Sequence, residues 1–458
     1  MKYTALLFTV ALSSGLSAQN ITDTAHHEAF IRGVYDRALE GQYAYNWLEE
    51  LCKDVGPRLA GSEGAENAVR WAKATLDTLG FDTVYLQEVS VPHWERGEES
   101  CYFTESKEAL SMCGLGGTAP TAREGLTAKV IEIPDVDDLE NYSREDIEGK
   151  IVFFSAPMRQ TYINTGSAYG EAVKKRFIGA VEASQYGALG VVIRSVTTKK
   201  DDAPHTGSMT YSGAYRNIPA AALGYLSADR LQRALRENPE LEITLKLANT
   251  MYDRTTSYNV IAEVRGKTYP REIAIAGGHL DSWDLAEGAQ DDGAGAVQSM
   301  EAIYLLIQSG YEFKRTHRVV LFMNEEFGLD GARTYAVMAD SLNEDHVIGI
   351  ESDGGGDVPR GFSIQALQSG VEAVKSLRWY LEPYSLNEYS VGYSGADIGQ
   401  LNNDYNILLG YRADSQRYFD YHHAPTDTFE TINARALELG SASMASMLYL
   451  LDQYEVRP

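Results

Sequence analysis

The sequence predicts an α/β fold in which a mixed, mostly parallel sheet is flanked by helices and interrupted by a second, β-rich domain. Three observations support this prediction. From Tyr258 onwards, strand and helix patterns alternate along the chain. The strands of that region are nearly continuous apolar runs, as a sheet covered on both faces requires. Residues 98–249 differ, because short strands there alternate with loops rich in Gly and Pro.

The first residues have the pattern of a signal peptide. Lys2 precedes the apolar run 5–12, which is too short to span a bilayer, and Ser17 and Ala18 offer a small-residue cleavage site. We therefore expect residues 1–18 to be a signal peptide and the protein to be secreted or periplasmic, with no membrane span. The alternative is an uncleaved membrane anchor.

The larger predicted domain begins with residues 19–97. Residues 28–52 have a helical pattern, and a second helix is predicted from Ser62 to Leu79. Ser62 is a suitable N-cap residue for that helix, and Gly80 is a suitable residue to end it. Residues 83–91 are predicted to form a strand.

Residues 98–249 are predicted to form the inserted domain, which we call the insert. Strands are predicted at 127–133, 149–154 and 189–193, with a helix at 171–186. Both ends of the insert are tied to one domain, so it must fold beside the sheet rather than swing on a single linker.

The larger domain resumes at residues 250–458. Its predicted strands and helices alternate as a mostly parallel sheet requires. The strands are 259–264, 272–277, 318–323, 347–351 and 407–411, and the helices are 293–308 and 434–452.

Charge and cysteine content exclude several classes of protein. Forty Lys and Arg stand against 65 Asp and Glu, and the formal net charge of −25 argues against nucleic-acid binding. The composition is that of an ordinary globular protein. Cys52, Cys101 and Cys113 form no CxxC spacing, so thiolate zinc sites and redox motifs are excluded, whereas a Cys101–Cys113 disulfide stays open.

Polar residues follow three of the predicted strands. His279 and Asp281 follow the strand 272–277, Glu325 and Glu326 follow 318–323, and Asp353 follows 347–351. Ligand sites in α/β sheets lie outside the carboxyl ends of the strands, so we expect these side chains to converge.

Two further groups complete this set of imidazoles and carboxylates. Asp291 precedes the helix 293–308, and His422 and His423 come late in the chain. Each motif alone has an ordinary explanation, such as a turn or a solvated edge. However, unpaired carboxylates beside a buried strand are costly without a cation. Imidazole and carboxylate ligands without cysteine suit zinc in a catalytic site.

These motifs and their order resemble the two-zinc exopeptidase family, which contains bacterial leucyl aminopeptidases and glutamate carboxypeptidases. Other segments resemble its plasma glutamate carboxypeptidase branch. The resemblance covers nearly the whole mature chain and implies the zinc exopeptidase fold with a protease-associated-type insert. The family motifs are GGHLDSWD at 277–284, GAQDDGAG at 288–295, NEE at 324–326, ESD at 351–353 and HAPTD at 423–427, and the branch motifs lie at 92–100, 282–284 and 204–207.

The resemblance implies two zinc ions per chain and a set of ligands. His423 is favoured over His422 because the family histidine stands four residues before an Asp or Glu, here Asp427. In this assignment His279 binds one zinc, Asp291 bridges both, Glu326 and Asp353 each bind a different zinc, and His423 completes the second site.

The resemblance also implies the catalytic roles. Asp281 would orient the imidazole of His279 from behind, and Glu325 would be the general base towards water shared by the two zinc ions. Several relatives carry a tyrosine immediately before the last ligand histidine, as a donor to the oxyanion. This chain has His422 there, so either His422 or another residue must serve.

Three classes of function remain open in the sequence. The first is a two-zinc exopeptidase acting on dipeptides or short peptides. The second is a one-zinc aminoacyl cyclase or an aminoacylase on the same scaffold, and the third is a non-catalytic receptor-like protein. Which end of a peptide is recognised also stays open: Arg412 and Arg417 are candidates for a terminal carboxylate, and Asp397 for an amine.

The insert is predicted to cover the cleft or to contribute to a homodimer, with a passive spacer as the alternative. It carries aromatic and Gly-rich loops, including residues 211–215. A lid of this kind would favour dipeptides over long chains.

Overall fold

The structure, a computed structural model, describes the backbone of residues 11–457 and the side chains of residues 24–457. Residues 1–10 of the predicted signal peptide lie outside the described residues, and residues 11–18 belong to the first helix. Of the helices in the described part, none is both long enough and apolar enough to cross a bilayer.

The helices lie mostly on the two faces of the sheets. They are α1 Ala11–Gly41, α2 Tyr43–Glu50, α3 Glu63–Leu76, α4 Arg144–Ile147, α5 Thr165–Ala172, α6 Lys174–Phe177, α7 Gly179–Gln185, α8 Tyr225–Glu237, α9 Ala294–Gln308, α10 Asp330–Leu342, α11 Gln368–Leu377 and α12 Ala434–Gln453.

The strands form two sheets of eight strands each. They are β1 Thr83–Glu95, β2 Glu99–Phe103, β3 Ala109–Leu110, β4 Met112–Gly114, β5 Leu126–Ile133, β6 Ile151–Phe154, β7 Gly190–Arg194, β8 Ala220–Leu223, β9 Glu242–Leu247, β10 Thr250–Val264, β11 Tyr269–His279, β12 Arg315–Phe322, β13 Asp345–Glu351, β14 Pro359–Gln365, β15 Glu388–Val391 and β16 Ile407–Ala413.

The first sheet confirms the predicted mixed α/β architecture. Its order is β1-β10-β12-β11-β13-β16-β14-β15. The central strands β12, β11, β13 and β16 are parallel to one another. Strand β10 pairs antiparallel with β1 and β12, and β14 pairs antiparallel with β16 but parallel with the edge strand β15. In register, His279 lies opposite Phe322 and Gly277 opposite Glu351, so the carboxyl ends of three strands meet at one edge.

Apolar residues on both faces of these strands explain why the runs are continuous. Val319 and Leu321 belong to the larger core, which α9 and α12 share, whereas Val320 and Phe322 belong to a smaller core that includes residues of α10. Successive side chains of a strand point to opposite faces, so both faces of β12 are buried by helices.

The N-terminal helices differ in detail from the prediction. The helix predicted at 28–52 is divided, because Gln42 adopts a left-handed conformation with φ 50° between α1 and α2. The ring of Tyr43 lies against Gly41, where a side chain would clash. The next helix begins as predicted, because Ser62 Oγ accepts a hydrogen bond from Ala65 N at 3.1 Å and caps α3. It ends at Leu76, before the predicted end at Leu79.

The second sheet is built from residues 99–247 and has the order β3-β2-β9-β5-β6-β7-β8-β4. The three strands predicted in this region correspond to β5, β6 and β7, which pair in parallel. The region also contains helices α4–α8, and the single helix predicted at 171–186 is divided among α5, α6 and α7. Parallel strands require crossover connections, which explains why this part of the chain is richer in helix than predicted.

The three cysteines are buried free thiols, so the Cys101–Cys113 disulfide that the sequence left open is not formed in the structure. Burial raises the pKa of each thiol, to about 12. They therefore pack as small apolar side chains.

Candidate active site

The carboxyl ends of the central strands bring the predicted residues together. His279 is the last residue of β11, Glu325 and Glu326 follow β12, and Asp353 follows β13. Asp291 lies in the turn Ala289–Gly293 before α9, and its peptide bond to Asp292 is cis. The segment between β16 and α12 adds His423.

The carboxylate of Asp291 lies between two groups of potential ligands. On one side, His279 Nε2 is 3.4 Å from Asp291 Oδ1 and 3.6 Å from Asp353 Oδ1. On the other side, His423 Nε2 is 3.2 Å from Asp291 Oδ2 and 2.9 Å from Glu326 Oε2.

The separations on the His279 side, 3.4 and 3.6 Å, fit donors arranged around a metal ion, whereas those on the His423 side, 3.2 and 2.9 Å, are shorter. Donors bound tetrahedrally at about 2.0–2.2 Å from one zinc lie about 3.3–3.6 Å from one another. Within residues 24–457, three buried atoms of this group lack a hydrogen-bond partner: His279 Nε2, Asp291 Oδ2 and Glu326 Oε1. Buried polar atoms without partners are costly, so their convergence indicates a bound cation.

Asp292 is close to this cluster but has a different task. Its Oδ2 accepts a hydrogen bond from His279 N at 3.0 Å, and its Oδ1 accepts one from Gly295 N at 3.0 Å. Both oxygens thus bind backbone amides, one of them in the first turn of α9. Asp292 therefore holds β11 against α9.

Asp281 differs in geometry from the role that the resemblance implies. Its carboxylate accepts hydrogen bonds from the backbone N–H of Asn324, Glu325 and Glu326 at 2.7, 3.1 and 3.3 Å. His279 Nδ1 bonds to the main-chain oxygen of Asp281 at 2.9 Å and is 3.7 Å from the carboxylate. The carboxylate therefore positions the segment that carries the glutamates, while the main chain orients the imidazole.

Glu325 lines a cavity of about 470 Å³ together with Asp291, Glu326 and Asp353. Burial raises the pKa of Glu325 well above its usual range, and the nearby Asp353 and Glu326 carboxylates raise it further, although His279 opposes them. A raised pKa suits a carboxylate that takes up and returns a proton near neutral pH.

His422 packs against His423, with ring centroids 3.6 Å apart and an interplanar angle of 17°. Its Nε2 is 3.7 Å from Asp291 Oδ2, farther than that of His423. Burial and the neighbouring His423 lower the pKa of His422 well below its usual range, so this ring is neutral. Tyr418, whose ring is 5.3 Å from His422, also lines the cavity.

A loop of the insert binds the segment that carries both histidines. Thr206 N donates to His423 O at 2.9 Å, and His423 Nδ1 lies 3.3 Å from Thr206 O. His205 Nδ1 bonds to His422 O at 2.7 Å. The second sheet therefore takes part in orienting the ring of His423, which sequence patterns did not predict.

Arg58, between α2 and α3, is fully buried. It donates to the main-chain oxygens of Leu280 at 2.6 Å and Gly288 at 2.8 Å, and also to that of Glu287. One arginine thus closes both ends of the loop between His279 and Asp291.

The residues predicted to recognise a peptide terminus lie in different settings. Asp397 is 1% exposed and neither of its carboxylate oxygens has a hydrogen-bond partner among the described residues. Arg417 is exposed, and its guanidinium lies over the ring of Tyr421. Arg412 is also exposed and lines a neighbouring cavity of about 460 Å³ with Asp353.

We expect zinc binding to release protons at pH 7. Burial raises the pKa of Glu326 to about 7; burial lowers the pKa of His423, but the Glu326 and Asp291 carboxylates outweigh it and raise that pKa to about 9. In the metal-free protein at pH 7, His423 is therefore protonated and Glu326 partly so. Both must lose their protons to bind metal, releasing about one to two protons.

Calorimetric titration of the metal-free protein in buffers of different ionisation enthalpy measures this release. The apparent zinc affinity should fall as the pH falls from 9 to 6. Titration of His423→Ala should release fewer protons. A binding heat that is the same in every buffer would contradict the assignment.

Comparisons with known proteins identify the family to which the chain belongs. Residues 259–447 match the model of peptidase family M28. The chain is 32% identical to carboxypeptidase Q of Bos taurus, over 94% of this chain and 91% of the relative. It is similar to the crystal structure of a peptidase M28 precursor from Shewanella amazonensis SB2B, with TM-score 0.90, 35% identity, and coverage of 94% of this chain and 97% of that one. A zinc aminopeptidase from Bacillus subtilis, BSAP, shares the fold, with TM-score 0.64, 21% identity, and coverage of 89% of this chain and 94% of that one.

The fold and these relatives together define a metallo-exopeptidase. The chain belongs to peptidase family M28. The resemblance to this exopeptidase family and to its plasma glutamate carboxypeptidase branch, whose members are also called carboxypeptidase Q, is thereby confirmed.

Proposed function

We propose that the protein is an exported exopeptidase that uses two zinc ions to hydrolyse dipeptides or short peptides. One observation carries this proposal: the carboxylate of Asp291 is shared between His279 with Asp353 on one side and His423 with Glu326 on the other. Zinc ions held by these five residues would lower the pKa of a shared water and polarise the scissile carbonyl.

The chain's own residues supply the proton transfers and the geometry. Glu325 accepts the proton of the attacking water and later delivers it to the leaving amine. The carboxylate of Asp281 fixes the backbone of Glu325, so the base is held at the cavity wall. Its half-buried position keeps bulk water from competing for the proton.

The oxyanion of the tetrahedral intermediate requires a hydrogen-bond donor. We assign this role to His422, which lines the cavity and is kept neutral by burial. Tyr418 is the second candidate, because burial and the Asp291 and Asp353 carboxylates raise its pKa well above its usual range and keep its hydroxyl protonated.

The alternative functions differ in zinc content and substrate. A one-zinc cyclase needs only one ligand group, and a receptor-like protein needs none. The Glu326–His423 pair opposite His279 favours the two-zinc enzyme. Zinc analysis, combined with assays of free, amino-blocked and carboxyl-blocked dipeptides, tests the proposal: we expect two zinc ions per chain and turnover of free dipeptides.

Export remains part of the proposal and rests on the pattern of residues 1–18. If it is correct, the mature chain isolated from outside the cytoplasm begins at Gln19, which N-terminal sequencing determines.

The insert, proposed as residues 98–249, forms one wall of the cavity. Tyr169, Arg176, Phe177 and Ser208 line it together with Glu325 and Asp353. A covered cleft favours short substrates. Replacing 98–249 with a Gly/Ser linker should shift the preference from a dipeptide towards a ten-residue peptide, provided that metal analysis shows zinc retained. If length preference and association state are unchanged in a folded, zinc-bound variant, the insert is a passive spacer.

A further inference from the structure

We propose that Arg176 binds the free α-carboxylate of the substrate, so that the enzyme releases the residue at the carboxyl end. This inference rests on the proposed peptidase function and concerns the same cavity. It assigns substrate recognition to a residue of the insert rather than to Arg412 or Arg417.

Arg176 is a buried cation at the wall of the catalytic cavity. It belongs to the short helix α6, which follows α5 and precedes α7 in the chain, and it is 7% exposed. It lines the same cavity as Glu325 and Asp353. In the part of the chain whose side chains are described, its Nε has no hydrogen-bond partner and its guanidinium forms no ion pair with a carboxylate.

Other buried arginines among the described residues pair with carboxylates or, as Arg58 does, donate to several main-chain oxygens. Arg315 pairs with Glu272 and Asp452, and Arg318 pairs with Glu263 and Glu344. An unpaired buried cation is costly, and it is more so in a site that also binds metal cations. The exception at Arg176 therefore points to an anion that enters from the cavity.

Neighbouring groups hold the guanidinium in place without satisfying it. Its Nη2 donates to Tyr169 Oη at 2.8 Å, and the guanidinium carbon lies 5.5 Å from the Tyr169 ring centroid. Gly207 provides the room, because a Cβ at this position would lie 2.5 Å from the guanidinium carbon. The planar fork is thus preset for a carboxylate, which it can bind with two hydrogen bonds.

The distance to the ligand cluster sets which bond is cleaved. Arg176 Nη1 is 3.2 Å from His423 Nδ1, while Nε2 of the same ring faces Glu326 and Asp291. When that Nδ1 donates its proton to Thr206 O, it offers no acceptor to Arg176. The imidazole ring of His423 thus separates the guanidinium from the Glu326 and Asp291 carboxylates. This separation is comparable to the length of one peptide residue, about 3.8 Å between successive Cα atoms. A carboxylate at Arg176 therefore places the last peptide bond near Glu325.

The same geometry excludes the amino end from this position. An ammonium group carries only donors and a positive charge, as the guanidinium does, so the two repel each other. The amino-terminal residue of a dipeptide must then extend past Asp353, towards the neighbouring cavity that Arg412 lines.

The experiment compares a free dipeptide with its carboxyl-terminal amide on the zinc-loaded full chain. The wild type should hydrolyse the free acid with the higher kcat/KM. Arg176→Met should lower kcat/KM for the acid by about 10²-fold, mainly through KM, and leave that for the amide unchanged. Arg176→Lys keeps the charge but loses the planar pair of donors. Its kcat/KM for the acid should lie between the values of the wild type and of Arg176→Met. The matched control Arg412→Met should keep the wild-type ratio of acid to amide.

Several outcomes would overturn the inference. It is wrong if the wild type cleaves acid and amide equally, if Arg176→Met keeps the wild-type ratio, or if only Arg412→Met removes it. In each of these cases turnover that depends on Glu325 leaves the proposed function standing.

Binding provides a readout that does not depend on turnover. Calorimetry with Glu325→Gln should show that this variant binds the free dipeptide more tightly than its amide, and the double variant Arg176→Met, Glu325→Gln should lose the difference. If the wild type hydrolyses no peptide, the proposed function fails, and equal affinity of the two ligands for Glu325→Gln would then reject the role of Arg176 as well. Zinc content and circular dichroism verify that each variant is folded.

Discussion

Replacement of Glu325 by glutamine is expected to leave zinc bound and to lower kcat by about 10²–10⁴-fold or more. The amide has nearly the same shape as the carboxylate, but it cannot accept the proton of the attacking water. Glu325 lines the cavity, whereas Asp291 and Glu326 carry the short contacts to the histidines. Metal analysis and steady-state kinetics on a free dipeptide check both parts of this expectation.

A matched control is Glu312→Gln, which removes an exposed carboxylate that pairs with Lys267. This variant should keep wild-type kinetics. If Glu325→Gln retains near-normal turnover, another residue is the base.

The second large effect is expected at the adjacent histidines. His423→Ala should lose one zinc ion and nearly all activity, because its Nε2 lies within 3.2 Å of Asp291 and 2.9 Å of Glu326. His422→Ala should keep both zinc ions and lose rate, because it removes only a donor to the oxyanion, at a cost of about 10²–10³-fold in kcat.

Zinc content per chain and kinetics of the two variants separate these roles. Metal loss in His422→Ala with retention in His423→Ala would exchange them. If His422→Ala keeps full activity while Tyr418→Phe loses it, the oxyanion donor is Tyr418.

Sequence patterns predicted the central sheet well, because its strands are nearly continuous apolar runs, a pattern typical of strands that are buried on both faces. The strand 318–323 and the helix 293–308 correspond closely to β12 and α9. The strands β2, β3, β4, β8, β9, β14 and β15 were not predicted. Of these, β3 and β4 have only two and three residues, too few to show a pattern. The pairing of β14 with β16, which extends the sheet to its edge, depends on tertiary contacts rather than on local sequence.

The candidate site was predictable as a set of residues but not in its supporting contacts. Motifs after successive strands identify His279, Glu325 and Asp353, because the carboxyl ends of parallel strands meet. The bond from His279 to the main-chain oxygen of Asp281 leaves no trace in sequence, since any residue has that oxygen. Arg176 was missed for another reason: it is distant in sequence from the motifs of the site, and no local pattern shows that α6 lines the cavity.

The hydrogen bonds between residues 205–206 and 422–423 also bear on how the enzyme matures. They join segments 217 residues apart, so closing this contact costs loop entropy and depends on both sheets being formed. Folding that depends on such distant contacts is slow, so we expect the catalytic centre to be among the last parts of the structure to form. A partly folded or C-terminally shortened chain should therefore be inert, and acquisition of hydrolytic activity should mark the completion of folding.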